Sequence, residues 1–312
     1  MQGESASQLA GGIVAVVSFL VWALLPIYFN LIDSRVGPWE MYMHRIIWSC
    51  VTLFVFLGVM GRLATLTGLF RRKKTMLALS ASAFVLFANW GVFIWAVTDG
   101  HIMDVSLGFF ISPLLIVLLG ACILKEKSSR LQMGAVALAA AGVLAAIAGF
   151  GFFPWIALFI GGTFALYGLI RKQVAVDSAT GLLFETLLVM PLAIVSLIWL
   201  HANGNAGFLS LGWKVDFLLI GCGVFGVIPL VMFSYAARRI SMQTLGFLQY
   251  ISPTGHFISA VFLYGEAVKP GNAVAFVFIW LGLALYTFDL VFARRAAKRE
   301  GRAQIAAVSP KN

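Results

Sequence analysis

Apolar stretches of about 20 residues, each bounded by charge, glycine or proline, recur along the whole chain, and a helix needs about that length to cross the hydrocarbon core of a bilayer. Ten windows meet the condition: 10–31, 39–60, 76–98, 103–124, 132–150, 154–171, 181–200, 215–237, 242–264 and 272–292. Only GFGFFP parts the fifth from the sixth, which predicts a tight hairpin with Gly151 and Pro154 as helix breakers. The expected fold is therefore an all-α polytopic membrane protein of ten transmembrane helices, with tails at 1–9 and 293–312. The first window follows a polar MQGESASQ with no Lys or Arg and no A-x-A site, so it reads as a retained helix rather than a cleaved signal.

Composition agrees. Of 312 residues, 61% are hydrophobic and 11% charged, against roughly 25% charged in a soluble domain. The net charge of +10 would raise nucleic acid as a partner in a soluble protein, but its placement says otherwise. The segments after spans two, four, six and eight and the C-terminal tail hold Arg62, Arg71, Arg72, Lys73, Lys74, Lys125, Lys127, Arg130, Arg171, Lys172, Arg238, Arg239, Arg294, Arg295, Lys298, Arg299, Arg302 and Lys311, whereas the opposite loops hold only Arg35, Lys214 and Lys269. The positive-inside rule then expects a bacterial inner-membrane protein with both termini cytoplasmic, its basic tail solvated near anionic lipid and bound to no nucleic acid. Cys50, Cys122 and Cys222 lie far apart in apolar runs, without metal-ligand spacing, and read as small buried hydrophobes; no metal and no cofactor is expected.

An internal repeat sharpens the architecture. Residues 106–126, SLGFFISPLLIVLLGACILKE, parallel 244–266, TLGFLQYISPTGHFISAVFLYGE, so that Pro113 and Glu126 match Pro253 and Glu266 at an offset of 140. Glu40 and Glu185, and likewise Trp22 and Tyr167, match at an offset of 145. The unit is five helices, an odd number. The second copy must then enter from the opposite face, giving two inverted five-helix repeats at 10–150 and 151–292, a symmetry suited to alternating access. Pro113 and Pro253 each remove a backbone hydrogen bond inside a span and are candidate hinges, or bends that only shape packing.

Ionisable residues inside the bilayer cost about 2.5–3.5 kcal/mol each on insertion scales and so point to function. Glu40, His44 and Trp48 stack on one face of span two, with Arg45 about 100° round from His44. Arg45, about 8–10 Å below the interface, faces a wet cavity, binds a substrate anion, or pairs with an acid such as Glu185. The candidate substrate-binding set is Arg45, His44, Glu40, Trp48, Asn89, Tyr167, Glu185, Gln249, Tyr250 and His256. Asp289 is expected to pair with Arg294 or Arg295, and Trp39, Trp155 and Trp213 to form the interfacial belt.

No HExxH, GxSxG, P-loop or facing pair of intramembrane aspartates occurs, so an enzyme is not expected, and transport would draw on an ion or substrate gradient. The motifs HRIIWS (44–49), SLGFFISPLLIVLLG (106–120), ALYGLIRK (165–172), GLLFETLLVMP (181–191), ARRISMQTLGFLQYISPT (237–254) and FLYGE (262–266) resemble the RarD branch of the EamA group in the drug/metabolite transporter superfamily. The resemblance spans residues 10 to about 292 and implies a ten-helix permease of two inverted EamA repeats, without assigning binding residues. Ser112 and His256 depart from the pattern of that branch. The expected function is a secondary transporter moving a small organic metabolite or drug-like solute, with Arg45 holding a carboxylate and His44 or a glutamate carrying a proton. The alternative is a membrane scaffold or lipid-handling protein without solute turnover.

Overall fold

The computed structural model describes residues 2–148, 153–263 and 277–289. Its helices are α1 (Gln2–Phe29), α2 (Pro38–Val59), α3 (Ala64–Leu69), α4 (Lys73–Thr98), α5 (Ile102–Cys122), α6 (Arg130–Ala148), α7 (Trp155–Gln173), α8 (Ser178–Ala202), α9 (Trp213–Ala237), α10 (Met242–Gln249) and α11 (Ile251–Ile258), the last running into a π-helical turn at Ser259–Leu263. A further helix, α12, covers Val277–Asp289. No strand occurs among the described residues.

Local chemistry sets several of these ends. Pro38 opens α2, where its missing N–H would be unpaired anyway, and Gly61, at φ +64°, turns the chain after α2 in a conformation that a side chain resists. Asp177 caps α8 by accepting from Thr180 N, and Ser241 caps α10 by accepting from Thr244 N.

Among the described residues seven helices are long and apolar enough to cross a membrane, where the apolar pattern predicts ten. Part of the difference has a physical cause. The predicted ninth span is interrupted at Tyr250, three residues before Pro253, whose ring cannot donate to Gln249 and crowds its carbonyl; two eight-residue helices result. Pro113, its repeat partner, lies inside an unbroken α5. The fifth and tenth spans are described only over Arg130–Ala148 and Val277–Asp289, and the rest of each lies outside the described residues. Gly151, the expected hairpin breaker, and Glu266 lie outside the described residues, as do Arg294 and Arg295.

The chain divides into two compact units. The larger, from 1–126 and 152–267, packs α5 on α7, α2 on both α8 and α9, α1 on α9 and α11, α4 on α7 and α8, and α10 on α5. Its core gathers Phe19, Leu57, Ile116, Tyr167, Leu183, Phe233, Met242 and Leu245. Small residues bring these helices close: a methyl on Gly161 would lie 3.1 Å from Ser112 N of α5, and one on Gly246 would lie 2.6 Å from the Pro113 carbonyl. The smaller unit, from 127–151 and 268–312, packs α12 on α6, where Gly282 sits against the Ala135 carbonyl. Within it Asp289 accepts from Ser129 Oγ at 2.9 Å.

Candidate functional site

Helices α1, α4, α5, α7, α10 and α11 leave a cavity of about 350 Å³ inside the larger unit. Its wall is mostly ring: Trp22 and Phe29 of α1, Trp90 and Phe93 of α4, Phe109 of α5 and Phe164 of α7. Trp90 and Phe93 meet edge to face at 5.1 Å, as do Trp22 and Phe164 at 5.7 Å, and Phe109 meets the His256 ring at 5.8 Å. The bend at Pro253 sets Gln249 on α10 and Ser252 and His256 on α11 against this wall, with Ser112 facing them from α5.

The polar groups are held in defined states. Gln249 Nε2 donates to Ser112 Oγ at 3.1 Å, while Gln249 Oε1 has no donor. Asn89 Nδ2 donates to the Ile160 carbonyl at 2.7 Å and to Thr163 Oγ1 at 2.8 Å. His256 Nε2 lies 3.2 Å from the Trp22 carbonyl; a carbonyl only accepts, so Nε2 carries the hydrogen and Nδ1 is an acceptor. Beyond α1, in the loop that follows Asn30, bonds from the Arg35 guanidinium and backbone hold the Asp33 carboxyl down at about 2.

Of the candidate residues the cavity brings together Asn89, Gln249 and His256. The others have different partners. The Glu40 carboxylate accepts from the backbone N–H of Gly207 and Phe208 at 3.0 Å, pinning the loop between α8 and α9. His44 lies 3.8 Å from Glu40, accepts from Trp48 Nε1 at 3.2 Å and packs on Phe208. Arg45 is buried at the α2–α9 crossing, where Gly226 makes room for its Nε, with its guanidinium 3.8 Å from the centre of the Trp90 ring. Together with Glu185 and Trp90 it lines a separate pocket of about 50 Å³, and its Nη1 meets no acceptor. Tyr250 is buried and donates to the Phe110 carbonyl at 3.3 Å.

Glu185 is not the partner of Arg45. It pairs with Arg171 at 3.2 Å and also accepts from Ser82 Oγ at 2.5 Å and Tyr167 at 3.4 Å, while Arg171 donates onward to Ser234 and to the Ser178 carbonyl. The sequence places Arg171 and Lys172 among loop charges that set orientation; the structure puts both on the last turn of α7. Arg171 is 1% exposed, and Lys172 donates to the Ala237 and Ile240 carbonyls and lies 3.6 Å from Glu126. Glu126 in turn accepts from Met242 N and Gln243 N at the start of α10. Cys50 and Cys222 are buried as expected, but Cys122 is exposed.

The whole chain has close relatives. An uncharacterized transporter of Vibrio cholerae serotype O1 is 38% identical over 93% of this chain and 95% of its own length, and Protein RarD of Salmonella typhi is 39% identical over 91% and 97%. The EamA-like transporter family matches residues 9–148. The chain belongs to the RarD branch of the EamA-like transporters. A solved crystal structure at 18% identity covers 89% of this RarD-branch chain and 97% of its own, with a TM-score of 0.69, so the fold is shared beyond the range of clear sequence likeness. The relatives' names and the apolar helices together make this member a multi-pass bacterial membrane protein of the transporter class.

The sequence reading misses Phe29, Phe93, Phe109 and Phe164 on the wall, and Arg171, Ser82 and Ser234 in the buried network. Phe109 carried a signal: it stands one helical turn before Ser112 of the Ile-Ser-Pro motif and so shares its face.

Proposed function

We propose that this RarD-branch protein carries a small organic solute across the bacterial inner membrane by alternating access, with the aromatic cavity as its substrate site. The observation that carries the reading is the cavity itself, a pocket of ligand size walled by rings and placed beside both Ile-Ser-Pro segments. Asn89, Gln249 and His256 orient the solute; Glu40, His44, Arg45, Trp48, Tyr167, Glu185 and Tyr250 shape the helices around it.

The ten-span, two-repeat architecture over 10–150 and 151–292 belongs to the same reading, and the packing supports it. Exchanging α1 with α7, α2 with α8, α4 with α9 and α5 with α10–α11 turns the main helix contacts into others that are present: α1 on α9 becomes α7 on α4, α5 on α7 becomes α10–α11 on α1, and α2 on α9 becomes α8 on α4. Even a polar joint repeats. Ser18 donates to the Pro229 carbonyl at 2.8 Å, and at offsets of 145 and 140 Thr163 meets Asn89, also at 2.8 Å.

The cavity lies toward the ends at which α1 and α4 finish and α5 begins. Below it Phe19, Phe164, Tyr167 and Phe233 close the bundle, followed by the Arg171–Glu185 network. With both termini in the cytoplasm, as the charge distribution favours, this is the outward-facing state. Pro253 and Pro113 serve as hinges, and coupling to protons falls to His256, the one titratable side chain among the described lining residues.

Cysteine access tests the reading. In a Cys122→Ser background, Phe93→Cys should react with an impermeant thiosulfonate from both faces, in cells and in inverted vesicles. Access from one face only, or from neither, refutes alternating access and leaves a scaffold without solute turnover. Comparing metabolites of a deletion strain and its parent, then flux in proteoliposomes with and without a pH gradient, identifies solute and driver.

A further inference from the structure

The cavity wall carries polar groups, and several of them leave a hydrogen-bond acceptor open. Among the described lining residues there is no Asp, Glu, Lys or Arg. Gln249, 7% exposed, has one amide N–H on Ser112 and an oxygen with no donor. Asn89 has its amide nitrogen engaged twice, which leaves its oxygen, and His256 offers Nδ1. Asn89 and His256 can only accept from a ligand, and Gln249 presents an acceptor oxygen beside its second N–H.

A carboxylate entering this wall would exchange water for aromatic rings and acceptor lone pairs, with no Lys or Arg among the described lining residues to balance it. A cation is attracted by ring faces, but no carboxylate among the described lining residues would balance it, and Arg45 already holds one face of Trp90 with its own charge 3.8 Å from the ring centre. Both signs are disfavoured. What remains favourable is ring stacking plus a donated hydrogen bond, since a buried acceptor without a donor is costly and a ligand N–H or O–H relieves that cost.

We infer that the cavity selects an uncharged, planar ring compound that donates a hydrogen bond to Gln249 Oε1. This names the substrate class of the site proposed above and rests on that reading. A cavity of about 350 Å³ holds one or two rings with a short polar arm.

Four probes that share one ring and chain separate the terms: hydrocinnamide, neutral with an N–H donor; methyl hydrocinnamate, neutral without one; hydrocinnamate, an anion; and phenylpropylammonium, a cation. The readout is protection of Phe29→Cys, in the full chain with Cys122→Ser, from thiosulfonate in nanodiscs. Hydrocinnamide should protect at roughly tenfold lower concentration than the ester, and the two ions should fail to protect at concentrations where the ester does. Gln249→Leu should abolish the difference between amide and ester while ester protection persists, and Gln249→Glu should admit phenylpropylammonium. Equal or better protection by either ion, or by none of the four, overturns the inference. Because two-faced access to Phe93→Cys is scored without any probe, that outcome stands apart from failure of the transport reading.

Discussion

Removing one member of the buried Arg171–Glu185 pair should damage this protein more than removing both. Arg171 and Glu185 are 1% and 2% exposed, 3.2 Å apart, and each has further bonds: Ser82 and Tyr167 to the carboxylate, Ser234 and the Ser178 carbonyl to the guanidinium. Glu185→Met leaves a guanidinium with no counter-charge inside α7, α8 and α9. Breaking such a pair costs about 3–5 kcal/mol, whereas replacing both charges by apolar groups of similar volume is often close to neutral. At roughly 2–4 °C per kcal/mol, Glu185→Met or Arg171→Met alone should lower the apparent Tm by about 10 °C. Arg171→Met with Glu185→Met should recover at least half of that loss. The assay is thermal unfolding of the detergent-solubilised full chain, analysed as a double-mutant cycle. Losses that simply add, or a single variant within a degree or two of the parent, would refute the assignment of these residues to one another.

Three further expectations follow from the packing. Gly223→Ala should cost about 1–3 kcal/mol or more by forcing α9 off α2, because its new methyl would meet Trp48 and lie 2.5 Å from Ser49 N, whereas Gly12→Ala, with nothing within 4 Å, should be neutral or add about 0.5–1 kcal/mol; paired melting curves decide. Glu40→Ala should leave the Gly207 and Phe208 N–H groups unpaired, at about 1–3 kcal/mol each, and open the 203–212 loop to limited proteolysis; Glu40→Gln, which keeps an acceptor oxygen, should do so less, and equal cleavage of both variants would dismiss the backbone bonds as the cause. Pro253→Ala restores an N–H that can reach the Gln249 carbonyl, so hydrogen exchange over 249–258 should slow and transport turnover should fall; unchanged exchange would mean that the break at Tyr250 has another origin.

The helical pattern was legible because lipid imposes it: a run of apolar residues must satisfy its own backbone, and only a helix does so within one segment. Predicted and observed helices therefore agree closely at 39–60 against Pro38–Val59, and at 215–237 against Trp213–Ala237. The pattern reads less well where one proline decides. Pro113 and Pro253 occupy equivalent places in the repeat, yet α5 runs through the first and the chain breaks before the second, so what a proline does depends on which neighbours hold the helix on either side. Window length also misled at Arg171. Apolar content ends there, but the helix continues to Gln173, and that extra turn carries a guanidinium into the protein instead of into a cytoplasmic loop.

The site was harder to read, for a reason that lies in the energetics of burial. Intramembrane charge is costly, and that cost drew attention to Glu40, Arg45 and Glu185. Yet a charge that survives in a folded membrane protein has its cost met by partners, and a group with a full set of partners has little left to offer a ligand. Glu40 is saturated by backbone N–H groups and Glu185 by Arg171, Ser82 and Tyr167. The wall of the cavity is built mostly from Trp and Phe, which lipid tolerates at low cost, and in a sequence with 27 Phe and 9 Trp such residues do not stand out. Unmet hydrogen-bonding capacity on a residue that lines a ligand-sized cavity is the better guide to a binding site in the membrane, and it becomes visible only once partners are assigned. Gln249 shows the difference: unremarkable as a polar residue in a span, it is singled out by an amide whose nitrogen is engaged and whose oxygen is not.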